Sequence, residues 1–169
     1  MSDLLRIAMA QINSSVGDFE GNKRKIIDCI SKAKGFKADI IAFPELAITG
    51  YPPQDLLFNK KFIQSNLDVL NEIISESNDI ISILGFVDKD RNHSIYNSAA
   101  IVSNKTLQGV YHKIHLPNYG VFDEKRYFSK GKNTKLIVLE NTRIGISICE
   151  DIWHVNGPIL EQANQGAQL

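Results

Sequence analysis

Three residues that are far apart in the sequence are of types that together could attack a carbonyl group: Glu45, Lys113 and Cys149. Each lies at or just beyond the C-terminal end of a predicted strand, where α/β sheets place their ligands. In such a set the carboxylate takes the thiol proton and the thiolate attacks the carbonyl carbon, while the ammonium and a backbone N–H stabilise the oxyanion that forms. A protonated lysine close to the thiol would also favour the thiolate.

Both cysteines also have a purely structural interpretation. Cys149 ends the alternating run "RIGISIC", and a lone cysteine at a strand end is more often a small buried apolar residue than a nucleophile. Cys29 lies near the apolar side of a predicted helix with no reactive neighbour in sequence, so it keeps the structural interpretation. Two cysteines this far apart indicate neither a disulfide framework nor a metal-ligand cluster.

The loops that follow Glu45 and Lys113 favour functional roles for both residues. Glu45 could be only the first solvated residue after the run "IIAF", but the next loop, "LAITGYPPQD", has a glycine and two prolines that suit a rigid active-site wall. Most lysines are solvated, but Lys113 opens the loop "IHLPNYGVFDEKRYF", whose aromatic residues are typical of a pocket lining. His112 and His115 lack a third ligand at suitable spacing, so no metal site is expected.

The elements that would position these residues follow from hydrophobic periodicity. Strands are predicted at 4–12, 38–45, 79–86, 97–103, 106–113, 135–140 and 143–149, and helices at 22–34, at 60–77 and from Pro158 onward. The strands at 97–103 and 106–113, and those at 135–140 and 143–149, are predicted to pair as hairpins. Strand, helix, strand, helix and then several strands indicate an α/β protein with a mixed sheet.

Composition limits the classes of partner. The 169 residues are 43% hydrophobic, enough for one core, and 19 basic residues balance 19 acidic ones, so neither nucleic acid nor an anionic membrane is an expected partner. The N-terminus lacks a signal pattern and no run approaches roughly 18 apolar residues, which favours a cytoplasmic protein. The sequence ends at "GAQL", where an apolar strand would be expected to begin, so we expect the domain to be incomplete.

Three motifs together resemble a known family. "FPELAITGYPPQDLL", "HKIHLPNYGVFDEKRYF" and "ISICEDIW" are similar to those of the glutamine-hydrolysing domain of glutamine-dependent NAD synthetases, a branch of the nitrilase (carbon-nitrogen hydrolase) superfamily. The resemblance implies a four-layer α-β-β-α sandwich whose later strands and helices would follow Leu169. It also implies that residues 1–169 are the N-terminal part of the glutaminase domain and that the synthetase domain is absent.

The resemblance implies a role for each site residue. Cys149 would be the nucleophile, Glu45 the general base, Lys113 the stabiliser of the tetrahedral intermediate, and Glu124 a second glutamate counted with them. The residues implied to contact glutamine, with Glu150 suited to its α-ammonium, are Tyr51, Tyr119, Phe122, Glu150 and Trp153.

The implied reaction is hydrolysis of glutamine to glutamate and ammonia through a cysteine thioester, without cofactor or metal. ATP, Mg²⁺ and deamido-NAD are implied only for the absent synthetase domain, and the sequence contains no glycine-rich phosphate loop. The expected partners are glutamine, the synthetase domain and further copies of the chain in a homo-oligomer. Two alternatives stay open: a stand-alone amidase or nitrilase, and a non-catalytic folding or interaction fragment.

Overall fold

Two sheets form the framework of the protein. The computed structural model describes residues 4–169, and within them seven strands form a five-stranded and a two-stranded sheet. The larger sheet contains, in spatial order, β1 (Ile7–Met9), β2 (Ile40–Ala42), β3 (Ile81–Lys89), β4 (Ile95–Ser103) and β5 (Thr106–His112). β1, β2 and β3 pair in parallel and β3, β4 and β5 antiparallel, which confirms the predicted mixed sheet. β6 (Lys135–Leu139) and β7 (Thr142–Ile146) form the smaller antiparallel sheet.

The helices are α1 (Phe19–Gly35), α2 (Lys60–Glu76) and α3 (Pro158–Asn164), with short 3₁₀ helices at Gln54–Phe58, Glu124–Arg126 and Cys149–Trp153. α1 begins three residues before the predicted start because the Asp18 side chain accepts a hydrogen bond from the Gly21 N–H at 3.0 Å and caps the first turn. α2 is capped in the same way by Asn59, whose side chain accepts from the Lys61 N–H.

Four layers follow from the direction in which apolar side chains point. α1 and α2 cover one face of the larger sheet, where Ile26, Ile30 and Ile73 pack with strand residues that include Leu84 and Phe86. The opposite face packs against the smaller sheet, in a cluster that joins Ile40, Ala99, Ile101 and Tyr111 to Ile144, Ile146 and Ile148. α3 covers the far side of the smaller sheet, since Gln162 Nε2 donates to Ile146 O at 2.6 Å and the side chain lies against Gly145. The α/β prediction is confirmed, with layers in the order helix, sheet, sheet, helix.

Several predicted strands are shorter than expected. The strand at 4–12 is reduced to Ile7–Met9, and the strand at 38–45 ends at Ala42, because the chain turns into a compact loop in which Leu46 has a φ of 51°. The strand at 143–149 ends at Ile146, so the prediction that Cys149 lies at a strand tip is wrong. Cys149 has a φ of 42°, which an extended ladder cannot accommodate, and it begins the 3₁₀ helix instead.

The final residues of the chain lie against β7. The Gln168 N–H donates to Arg143 O at 2.8 Å, and the Gly145 N–H donates to Leu169 O at 2.7 Å. α3 therefore connects β7 to a segment that returns to the edge of the same sheet.

Candidate active site

The three residues proposed for chemistry follow three strands that end at the same side of the two sheets. Glu45 comes three residues after β2, Lys113 directly after β5, and Cys149 three residues after β7. Glu45 and Cys149 line one cavity of about 320 Å³ between the sheets. The segments that follow β2 of the larger sheet and β7 of the smaller sheet thus contribute to one cleft.

Lys113 forms the charged centre of the site. Its side chain is fully buried, and its Nζ donates to Glu45 Oε1 at 2.6 Å and to Glu124 Oε1 at 2.8 Å. Burial alone lowers the pKa of Lys113, but the two carboxylates outweigh it, so the pKa is raised and the ammonium stays charged. An ammonium has three N–H donors, and within residues 4–169 these two carboxylates use two of them, which leaves a third available.

Glu45 is fixed by a close backbone approach. A Cβ on Gly85 of β3 would lie 2.2 Å from Pro44 O and 2.5 Å from Leu46 N, so only glycine lets residues 44–46 lie directly on β3. The Ile48 N–H donates to Gly85 O at 3.1 Å and holds the far end of this loop on the same strand. The loop predicted to be a rigid wall is therefore anchored to the sheet beside it.

Asn97 orients the Glu45 carboxylate. This residue of β4 is buried, and its Nδ2 donates to Glu45 Oε1 at 2.6 Å. Within residues 4–169 the donors to Glu45 both reach Oε1, which leaves Oε2 to accept a proton. The sequence pattern does not single out Asn97, and its only signal is a polar residue at the start of the apolar run "NSAAIVS".

The Cys149 thiol is accessible to solvent, but the groups around it raise its pKa. Loss of surrounding water raises the pKa of Cys149, the carboxylates of Glu45, Glu124 and Glu150 raise it further, and Lys113 opposes them. The expectation that the lysine favours the thiolate is thus correct in direction, but its effect is outweighed. The raised pKa favours the protonated thiol, so an attack by this sulfur would require a base.

Glu124 completes the charged cluster. It begins the 3₁₀ helix Glu124–Arg126 and is buried, and burial raises its pKa although Lys113 opposes that effect. Its N–H donates to Pro117 O at 3.1 Å, which fixes the aromatic loop after Lys113 over the site. The structure therefore brings all four residues implied to be catalytic into one electrostatic cluster.

The residues implied to bind substrate fall into three groups. Tyr51 lines a second cavity together with Phe122 and Glu124, and burial and the carboxylates of Glu45 and Glu124 raise the pKa of Tyr51 to about 12. Tyr119 donates to Glu150 Oε2 at 2.9 Å, and its ring lies edge-on to Phe122 with centroids 5.6 Å apart. Trp153 is 73% exposed and lines neither the cavity of Glu45 nor those of Tyr51 and Tyr119, so the structure does not bring it to the others.

The two histidines of the loop motif serve other contacts. His112 Nε2 lies 2.7 Å from Asp88 Oδ2, and the His112 ring stacks on Tyr96, whereas His115 stacks on His154 with centroids 3.7 Å apart. Among the described residues, no group of three or more His, Cys, Asp or Glu side chains is arranged to hold a metal ion. In the same part of the chain, no helix combines the length and apolarity of a membrane span.

Comparison with known proteins identifies the class. A sequence model of the family described as carbon-nitrogen hydrolase matches residues 6–169, so the chain belongs to that family. A glutamine-dependent NAD(+) synthetase of Thermotoga maritima is 41% identical over 152 residues, which are 89% of this chain and 26% of the relative. The chain thus spans about a quarter of that relative's length.

Solved structures show the same fold. A glutamine-dependent NAD+ synthetase from Acinetobacter baumannii, in complex with ADP, superimposes with a TM-score of 0.92 at 37% identity over 96% of this chain and 31% of that one. An amidase from Nesterenkonia sp. AN1 superimposes with a TM-score of 0.83 at 20% identity, over 98% of this chain and 65% of the amidase, which shows a shared fold alone.

Proposed function

We propose that the chain is the glutamine-hydrolysing part of a glutamine-dependent NAD synthetase and that it converts glutamine to glutamate and ammonia. The observation that carries the proposal is the Glu45, Lys113 and Glu124 cluster beside the accessible Cys149 thiol. The 41% identity to a synthetase of this class supports glutamine as the substrate.

The first half of the reaction forms a thioester. Glu45 Oε2 accepts the Cys149 proton as Sγ attacks the side-chain amide carbon of glutamine, because the thiol is protonated at rest. The third N–H of Lys113 and a backbone N–H stabilise the tetrahedral oxyanion. Glu45 returns the proton to the amide nitrogen, and the carbon–nitrogen bond breaks. Ammonia departs, and a γ-glutamyl thioester remains on Cys149.

The second half releases glutamate. Glu45 takes a proton from water, the hydroxide attacks the thioester carbonyl, and the same oxyanion contacts stabilise the second intermediate. The carbon–sulfur bond then breaks, and the proton held by Glu45 returns to the thiolate. Every proton and electron pair is supplied by the protein, water and substrate, so the hydrolysis of glutamine requires neither metal nor cofactor.

Substrate recognition is proposed for the pair formed by Tyr119 and Glu150. The Glu150 side chain is only 12% exposed, and its carboxylate lies 3.5 Å from His154 Nε2 in addition to its bond with Tyr119. A carboxylate held in this way suits the α-ammonium of glutamine. Tyr51, Phe122 and Trp153 are proposed as further substrate contacts, with Trp153 able to contribute only if it moves from its exposed position.

In the whole protein, ammonia is proposed to pass to a synthetase domain that uses ATP and Mg²⁺ to amidate deamido-NAD. Residues 1–169 are then the N-terminal part of the glutaminase domain, and further strands would extend the smaller sheet from the β7 edge already met by Leu169. The exposed Ile7 and Met9 on the edge strand β1 support association into a homo-oligomer, and a cytoplasmic location fits this biosynthetic role.

A stand-alone amidase is the second candidate, because the residues matched by the carbon-nitrogen hydrolase family contain Glu45, Lys113, Glu124 and Cys149 without any synthetase domain. A non-catalytic fragment is the third. The purified chain should release ammonia from glutamine and not from propionamide, and Cys149→Ala should abolish the release. Hydrolysis of propionamide at a similar rate would favour the amidase, and equal release by wild type and Cys149→Ala would contradict both catalytic readings.

A further inference from the structure

One buried carboxylate connects the end of β5, next to Lys113, to the turn that carries Cys149. Asp151, the third residue of the 3₁₀ helix Cys149–Trp153, is fully buried. Its Oδ2 accepts from the Tyr111 hydroxyl at 2.7 Å and from the Ile148 N–H at 3.1 Å. Its Oδ1 accepts from the N–H groups of Ile114 at 3.2 Å and His115 at 2.8 Å.

All four donors to Asp151 lie within two residues of Lys113 or Cys149. Tyr111, Ile114 and His115 bracket Lys113 on both sides, and Ile148 directly precedes Cys149. Tyr111 belongs to β5 of the larger sheet, whereas Asp151 and Ile148 follow β7 of the smaller sheet. The carboxylate therefore links the two sheets beside Lys113 and beside Cys149, the proposed nucleophile.

A carboxylate at this position is costly unless all of its acceptor sites are used. Among residues 4–169, no lysine or arginine forms an ion pair with Asp151, so neutral donors alone compensate for its burial. An asparagine of the same shape would present N–H groups to at least one pair of these donors. The hydrogen bond from Ile148 also closes the turn in which Cys149 takes its left-handed φ of 42°.

We propose that Asp151 is a positioning residue that sets the distance between the Cys149 thiol and the Lys113 ammonium without touching the substrate. Tyr111 is its partner in this role, since the phenol stays protonated: burial and the neighbouring carboxylate raise the pKa of Tyr111. Of the two tests of this proposal, only the kinetic one depends on the proposed function.

The kinetic test compares two variants with a matched control. Asp151→Asn should lower kcat for glutamine about 100-fold, and Tyr111→Phe about tenfold, with KM changed less than about threefold, because a misplacement of about 1 Å costs a rate of this size. Tyr96→Phe removes a similar hydroxyl-to-carboxylate bond, from Tyr96 to Asp90 at 3.0 Å, and should leave kcat unchanged. All variants are first shown to be folded by circular dichroism at the assay temperature.

A second readout does not depend on glutamine hydrolysis. Lys113 lowers the pKa of Cys149 while burial, Glu45, Glu124 and Glu150 raise it. If Tyr111→Phe loosens the Lys113 strand end, the pH at which iodoacetamide alkylates Cys149 at half its maximal rate should rise, although no charge has been removed. The profile is read from the mass of the peptide that contains Cys149.

These outcomes decide the proposal. The proposal is supported if the pH of half-maximal alkylation rises in Tyr111→Phe but not in Tyr96→Phe, even if the wild-type chain does not hydrolyse glutamine. Profiles that coincide in wild type and Tyr111→Phe, or that shift equally in Tyr96→Phe, overturn it. In a wild-type chain that is active, folded Asp151→Asn protein with wild-type kcat also overturns it.

Discussion

At the scale of single residues, the site is a balance of charges around one thiol. Lys113 favours the Cys149 thiolate, while loss of water and three carboxylates favour the thiol. In the proposed mechanism the thiol is therefore activated during attack, by proton transfer to Glu45, and is not a preformed thiolate. The hydrogen bonds from Lys113 and Asn97 to Glu45 Oε1 direct the other oxygen to this task.

Glu45→Gln should change the alkylation rate of Cys149 and the rate of glutamine hydrolysis in opposite directions. The substitution removes a negative charge that raises the pKa of Cys149, so the thiolate fraction rises and alkylation by iodoacetamide at pH 8 becomes faster. Glutamine hydrolysis should fall about 10²- to 10⁴-fold, because the general base is lost. Glu72→Gln, on the outer helix α2 where Glu72 pairs with Lys23, is the matched control and should change neither rate. Alkylation and hydrolysis that fall together would show that the thiolate is preformed.

The residue types of the site could be predicted, but their electrostatics could not. Glu45, Lys113 and Cys149 stand out because each follows a strand-like run. Asn97 and Asp151 do not, since their roles depend on hydrogen bonds to residues 52 and 36–40 positions away. The raised pKa of Cys149 also depends on how closely three carboxylates approach it in the folded chain, which no spacing in the sequence encodes.

At the scale of elements, glycine on a central strand determines where Glu45 lies. Gly85 faces the backbone of residues 44–46, and the shortest contact of an added Cβ would be 2.2 Å, to a carbonyl oxygen that cannot rotate away as a side chain would. The loop must shift by more than 1 Å to restore an ordinary contact, and it carries Glu45, the proposed general base.

Gly85→Ala should therefore damage both stability and catalysis. We expect a loss of about 1–3 kcal/mol in the free energy of unfolding, as for other overpacked sites, and a fall in kcat of about 100-fold. Gly35→Ala at the end of α1 is the control, because nothing lies within 4 Å of its added Cβ, and it should keep full activity. Urea unfolding and ammonia release measure the two effects. Wild-type values for Gly85→Ala would show that the loop is not held against β3.

The elements themselves were predicted better than their ends. Periodicity located seven strands and three helices in the correct order, because alternating and three- or four-residue apolar spacing persist through each element. Several ends were misjudged, among them those at residues 43–45 and 147–149, where Phe43 and Ile148 continue the apolar pattern after the hydrogen-bonded ladder stops. Both segments carry catalytic candidates in turns with residues at positive φ, Leu46 and Cys149.

At the scale of the whole molecule, the site exists only where the two sheets face each other. Lys113 and Glu45 come from the larger sheet and Cys149 from the smaller one, and they are joined by an apolar layer that includes Ile40, Tyr111 and Ile146. The mixed sheet could be predicted from the order of elements, but the packing of the two sheets on each other depends on contacts between distant segments, which periodicity does not report.

Selective labelling by a glutamine-like electrophile tests the central claim most directly, since it requires the thiol, its charged neighbours and a substrate pocket at once. A diazoketone analogue of glutamine should modify Cys149 in one-to-one stoichiometry and leave the half-buried Cys29 unmodified, as read by peptide mass spectrometry. Excess glutamine should protect Cys149, and Cys149→Ala protein should remain unlabelled. Labelling of both cysteines at similar rates, without protection by glutamine, would contradict the account.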